Sequence, residues 1–120
     1  MKDAATIVAS YIASFNETDA ERRRVLLQDL YAEDATYVDP HVEARGIEAI
    51  DEFISTTQGR FPGFEFKLAT QVDSHHDQAR FQWAAGPAGQ PDAPFLGFDV
   101  IVTEDDKIRN VYGFSDAAAG

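Results

Sequence analysis

Apolar positions fall at helical spacing in the first half of the chain and alternate in the second. Val8, Tyr11, Ile12 and Phe15 stand at i, i+3, i+4 and i+7, one face of an amphipathic helix that ends at Asn16 and Glu17. Thr18-Asp19-Ala20-Glu21 has the spacing of a capping box, so a second helix opens there. Leu26, Leu27, Leu30 and Tyr31 form its inner stripe. Arg22, Arg23 and Arg24 read as a solvated face whose stems cover apolar surface. A short strand then runs to Asp39-Pro40, where the proline ring holds the residue before it extended. Gly46 starts a third helix with Ile47, Ile50, Phe53 and Ile54 on one side, and Gly59 is its expected stop.

From Phe64 the period becomes two. Phe64, Phe66, Leu68, Thr70 and Val72 alternate with Glu65, Lys67, Ala69, Gln71 and Asp73, which predicts a half-buried strand. A second strand covers about Ala79 to Ala85, with Phe81 and Trp83 on one face and Arg80 and Gln82 on the other. After a loop rich in glycine and proline, Phe95 to Thr103 is apolar on both faces, hence central in a sheet. Glu104-Asp105-Asp106 turns into a last strand from Lys107 to Phe114, and the tail Asp116-Ala-Ala-Ala-Gly120 is expected to fray. The predicted order is α-α-β-α-β-β-β-β: one α+β domain over residues 1–120, its bent, mainly antiparallel sheet wrapping three helices. A cone of this kind leaves an apolar cavity at one end.

Composition narrows the function. The chain has no cysteine, which excludes disulfides and thiolate chemistry and fits a reducing compartment. Its formal charge of −11 repels nucleic acid and anionic membranes. No stretch approaches the roughly 20 apolar residues of a membrane span, and the N-terminus lacks the apolar core of a secretion signal. A cytoplasmic protein is the expectation.

Two acids stand in apolar company. Asp39 sits among Tyr37, Val38, Pro40 and Val42; poor hydration makes a carboxylate a better base, although an acid before proline is also ordinary turn chemistry. Asp99 interrupts Phe95-Leu-Gly-Phe98 and Val100-Ile-Val102, where a charge is costly unless paired. Either a cation such as Arg80 holds it ionised, or it carries a proton and donates. Tyr11 lies on the inner stripe of the first helix, and its hydroxyl needs a buried partner. His75, His76 and His41 lack spacings that place metal ligands on one face, so no metal is expected, and His41 is read as a residue of the pocket rim. Phe53, Phe66, Phe81, Trp83 and Phe98 are candidates for the pocket lining, with Arg80 as its cation.

Tyr31-Ala-Glu-Asp-Ala-Thr36, Asp39-Pro40, the Gly46 helix and the four-strand meander resemble the NTF2-like superfamily, and within it the SnoaL-like branch that also holds ketosteroid isomerases. Phe61-Pro-Gly63 and Val111-Tyr-Gly-Phe114 are supporting echoes, and the resemblance runs over roughly residues 5 to 115. It implies a cone-shaped barrel and a proton-shuttling base at Asp39. It also implies an oxyanion donor at Asp99 and a phenol at Tyr11, the isomerase pattern of one base and two donors. Tyr11 matches only if about one helical turn is inserted near Ala20 to Arg24; otherwise the position is Phe15. Val38 and His41 depart from the isomerase pattern, so steroid specificity does not carry over. The expected function is binding of a small apolar molecule, with acid/base isomerisation or cyclisation next to a carbonyl and no cofactor. The alternative is a non-catalytic ligand-binding or dimerisation module. Relatives usually pair through the outer sheet face, which implies a homodimer, with Ala69, Gln71, Gln82 and Val111 as its candidates.

Overall fold

A computed structural model describes residues 2–91 and 93–116. Asp116, expected to fray, instead pairs with Leu96 at the end of the last strand, because the strand before it offers a ladder that far; the rest of that expectation falls outside the described residues. Three helices are seen among the described residues. Helix α1 (Ala4–Asn16) is capped by Asp3, whose carboxylate accepts from the Thr6 amide at 2.8 Å. Helix α2 (Ala20–Leu30) is capped by Asp19, one residue later than the capping box predicts, through the Arg22 amide. Helix α3 (Ile47–Arg60) starts at Gly46, whose φ of 89° suits a residue without Cβ. Gly59 lies inside α3 and does not end it.

Seven strands form one sheet: β1 (Tyr31–Asp39), β2 (Val42–Arg45), β3 (Phe64–Leu68), β4 (Asp73–His75), β5 (Gln78–Pro87), β6 (Phe95–Glu104) and β7 (Lys107–Asp116). Their order is β2-β1-β7-β6-β5-β3, with β4 also on β5. Every pairing is antiparallel except β1 with β7. The sheet curves around the helices without closing into a barrel. Its concave face packs Ala35, Phe81, Ile101, Ile108 and Val111 against Val8, Leu27, Ile50 and Ile54 of the helices. No helix among the described residues is long and apolar enough to cross a membrane.

Four further expectations change. Tyr31 is the first residue of β1, not the end of the helical stripe. The strand predicted from Phe64 to Val72 leaves the ladder after Leu68, where the Thr70 hydroxyl accepts from the Gln82 amide. Arg23 is not solvated: it is 4% exposed, paired with Asp51 of α3 and bonded to the Glu17 carbonyl and Gln58. Val111 is fully buried on the concave face and cannot belong to an outer interface.

Candidate functional site

The register of three neighbouring strands builds the site. Asp99 of β6 lies opposite Gly113 of β7, and Gly113 lies beside the end of β1 where Asp39 stands. A Cβ placed on Gly113 would meet Asp99 Oδ1 at 2.9 Å and Asp39 Cβ at 3.1 Å. The absent side chain is the space into which both acids fit.

Asp99 is 3% exposed. Its Oδ2 accepts from the Tyr11 hydroxyl at 2.7 Å and its Oδ1 from the Trp83 indole N–H at 3.2 Å. Burial pushes its pKa up to about 6; the two hydrogen bonds oppose that and the nearby Asp39 charge adds to it. Burial first, and the Asp99 charge second, also push the Tyr11, Tyr31 and Tyr37 hydroxyls well above the usual phenol range. All three phenols therefore stay protonated and can act as donors. Trp83 reaches Asp99 because its indole lies over Gly97, where a Cβ would come within 2.0 Å of the ring.

Asp39 is half-buried at the end of β1. Its Oδ1 accepts from the backbone amides of His41 and Val42, and its Oδ2 from the Tyr37 hydroxyl at 2.8 Å. The turn chemistry read from Asp-Pro is thus present, and the same carboxylate also faces the cavity.

Both acids line a cavity of about 570 Å³. Tyr11, Phe15, Tyr37, Phe53, Phe66 and Trp83 form its inner walls, with ring centroids from 5.0 to 6.4 Å apart in successive pairs. Phe61, Phe64 and Phe95 form a second aromatic group on the same cavity. The exposed side chains of His41, Arg45, Arg60, Glu43 and Glu52 also border it.

Of the residues expected in the site, Asp39, Asp99, Tyr11, Phe53, Phe66, Trp83 and His41 meet around this one cavity. Three others do not line it. Arg80 points to the convex face, as strand alternation from Phe81 requires, and pairs there with Asp73 at 2.9 Å. It therefore cannot hold Asp99 ionised. Phe98 alternates with Asp99 in the same way and packs on Phe114 outside. Phe81 does point inward, but its ring stands edge-on to Tyr11 in the core behind the site.

Sequence reasoning missed Tyr37 as a partner of Asp39, Trp83 as a donor, and Gly97 and Gly113 as spacers. Tyr37 alone left a signal, being two residues before Asp39 and so on its face of β1. Tyr31 is also buried, and its hydroxyl has no hydrogen-bond partner among the described residues. His75 and His76 do not point to opposite faces as neighbours on a strand do. The φ of 54° at His76 takes it off the strand path, so the two rings meet with Nδ1 atoms 3.0 Å apart. No group of three or more metal-ligating side chains forms among the described residues.

Residues 8–111 match the SnoaL-like domain family. A candidate isomerase of that family from Agrobacterium tumefaciens is 37% identical, with a TM-score of 0.89 over 94% of this chain and 97% of its own. A candidate SnoaL-like polyketide cyclase from Jannaschia is 16% identical, with a TM-score of 0.72 over 99% of this chain and 92% of its own. A hypothetical protein with a ketosteroid isomerase-like fold from Catenulispora acidiphila, in complex with trimethylamine, is 19% identical; its TM-score is 0.75 over 94% of this chain and 87% of its own. No curated protein matches the chain. With a family match over most of its length and a 37% identical relative of the same family, the chain belongs to the SnoaL-like domain family, and its fold is NTF2-like.

Proposed function

We propose that the cavity binds a small, largely apolar carbonyl compound and that the Asp39–Asp99 pair moves a proton on the carbon next to its carbonyl. The supporting observation is the meeting of two acids from β1 and β6, separated only by Gly113, at one aromatic-walled cavity. A group with a pKa near 6 exchanges protons readily around neutrality. An indole N–H only donates, so a proton on Asp99 goes to Oδ2, against Tyr11. Tyr11 can then accept from Asp99 and turn its own O–H towards the ligand oxygen. In this scheme Asp39 takes the proton from carbon and becomes neutral. The C–H electron pair moves into the enolate, whose oxygen accepts from Tyr11. Return of the proton to another carbon gives isomerisation; attack of the enolate carbon on a second carbonyl gives cyclisation. The scheme uses no cofactor.

A second reading, binding without catalysis, is favoured by the Asp39 hydrogen bonds to the His41 and Val42 amides, which suffice as a turn cap. Exchange of ketone C–H for deuterium separates the two. Asp39→Asn should slow exchange about 10²-fold or more, and Tyr11→Phe or Asp99→Asn about 10²–10³-fold. Equal rates in wild type and Asp39→Asn leave only the binding reading. We further propose that two copies pair through the convex sheet face.

A further inference from the structure

The acids in the cavity have no counter-charge. Among the described residues, no arginine, lysine or histidine side chain forms an ion pair or hydrogen bond with Asp39 or Asp99; their partners are two phenols, an indole and two backbone amides. The cationic side chains on the cavity wall, Arg45 and Arg60, are exposed, and the exposed Glu43 and Glu52 offset them. The remaining inner wall is aromatic, and the faces of such rings carry negative potential. Among the described residues, the inner cavity thus holds two acids and aromatic rings, and its cationic side chains stand only at the exposed border.

We infer that the inner cavity seats the cationic end of its ligand, a tertiary or quaternary alkylammonium group, against the aromatic walls with the acid pair as its counter-charge, Asp39 ionised and Asp99 sharing its proton with Tyr11. This rests on the reading that the cavity is the ligand site, and holds whether or not a proton is then moved. A methylated ammonium is bulky and weakly hydrated, so it gives up little on entering a dry hollow, and ring faces attract it. A carboxylate-bearing ligand would meet an acid pair of like charge where little water screens it. A neutral ligand would leave the pair uncompensated. The chain's charge of −11 adds a long-range field that draws cations towards the mouth. A cavity of about 570 Å³ exceeds what a methylated ammonium head fills, leaving room for an apolar body beside Phe61, Phe64 and Phe95. A positive group near the carbonyl would also favour removal of the adjacent proton, because the enolate forms beside a fixed positive charge.

The test uses three probes of one shape: choline, its neutral carbon isostere 3,3-dimethylbutan-1-ol, and the anion 3,3-dimethylbutanoate. Trp83 is the sole tryptophan and sits on the cavity wall, so its fluorescence reports occupancy directly. Choline should bind about tenfold or more tighter than the isostere, and the anion weakest. Phe53→Leu, which keeps the apolar wall but removes a ring, and Asp39→Asn should each cut that preference severalfold while the isostere still binds. The retained isostere binding shows that each variant is folded. Isostere binding equal to or tighter than choline overturns the cation inference and leaves the ligand site intact. Failure of all three probes to perturb Trp83 up to solubility overturns the ligand site as well.

Discussion

Gly113 has no side chain, and two carboxylates occupy the space one would need. Gly113→Ala puts a methyl 2.9 Å from Asp99 Oδ1 and 3.1 Å from Asp39 Cβ, closer than side chains normally stand. One or both acids must shift, at a cost of about 1–3 kcal/mol for overpacking. The expected result is a modest fall in Tm with a much larger loss of ligand binding or proton exchange. An alanine variant with wild-type binding would mean that the acids need not stand where they do. Asp99 itself makes a prediction in pH. Its native pKa, about 6, lies above the ordinary 3.8, so between those values the native state binds the proton more tightly than the unfolded chain does. The cost of burying its charge is absent below pH 3.8, grows as the pH rises to about 6, and is constant above. Two units correspond to about 3 kcal/mol. The neutral amide in Asp99→Asn carries no such cost. Unfolding free energies at about pH 4 and about pH 7 should therefore show the variant gaining on wild type by that order as pH rises. A difference that stays flat over this range removes the buried-charge account of Asp99.

The helices were legible because each carries a full apolar stripe with a cap or a glycine at its start. The long strands β5, β6 and β7 were legible from their patterns. Strands β2 and β4 were not: four residues and three give no period to read, and both exist only because a neighbour offers a ladder. The parallel pairing of β1 with β7 joins parts of the chain some 75 residues apart, and nothing local encodes it. The site divides the same way. Asp39, Asp99 and Tyr11 could be picked out as polar groups in apolar surroundings, whereas the roles of Gly97, Gly113 and Trp83 depend on which residue faces which across the sheet. Arg23 was misread because its partners come from other elements: Asp51 and Gln58 in α3, and the Glu17 carbonyl after α1. It ties three helical segments together where its stem alone would suffice to cover apolar surface. Arg23→Met keeps the stem and leaves Asp51 without its cation, so urea unfolding should show a loss of about 2–4 kcal/mol. A second change, Asp51→Leu, should recover part of it, because the stranded acid is then gone. A single-variant loss below about 0.5 kcal/mol would make the pair a surface contact after all.

The sheet has two faces with different fates in the whole molecule. The concave face is filled by helices and cavity. The convex face carries the alternate residues of β6 and β7, among them half-buried Phe98 and Val100 and exposed Tyr112 and Phe114. Phe114 is 56% exposed and Tyr112 44%, with Phe98 and Phe114 in ring contact at 6.2 Å. In the proposed homodimer a second copy would bring the same apolar face to it, and a two-fold axis would let each patch meet its own image. The formal charge of −11 on each copy opposes that approach, so association should strengthen as salt screens the repulsion over a Debye length of about 10 Å at 0.1 M. Phe114→Glu puts a carboxylate in the centre of the patch at a position exposed enough for the fold to survive. Sedimentation at rising salt should show wild type as a dimer and the variant as a monomer with an unchanged circular dichroism spectrum. Because the patch lies on the opposite side of the sheet from Asp39 and Asp99, the variant should keep the choline response of Trp83. A wild-type chain that sediments as a monomer at every salt concentration means that the exposed rings serve some other contact. Loss of the Trp83 response in a folded monomer means that pairing shapes the cavity through the sheet.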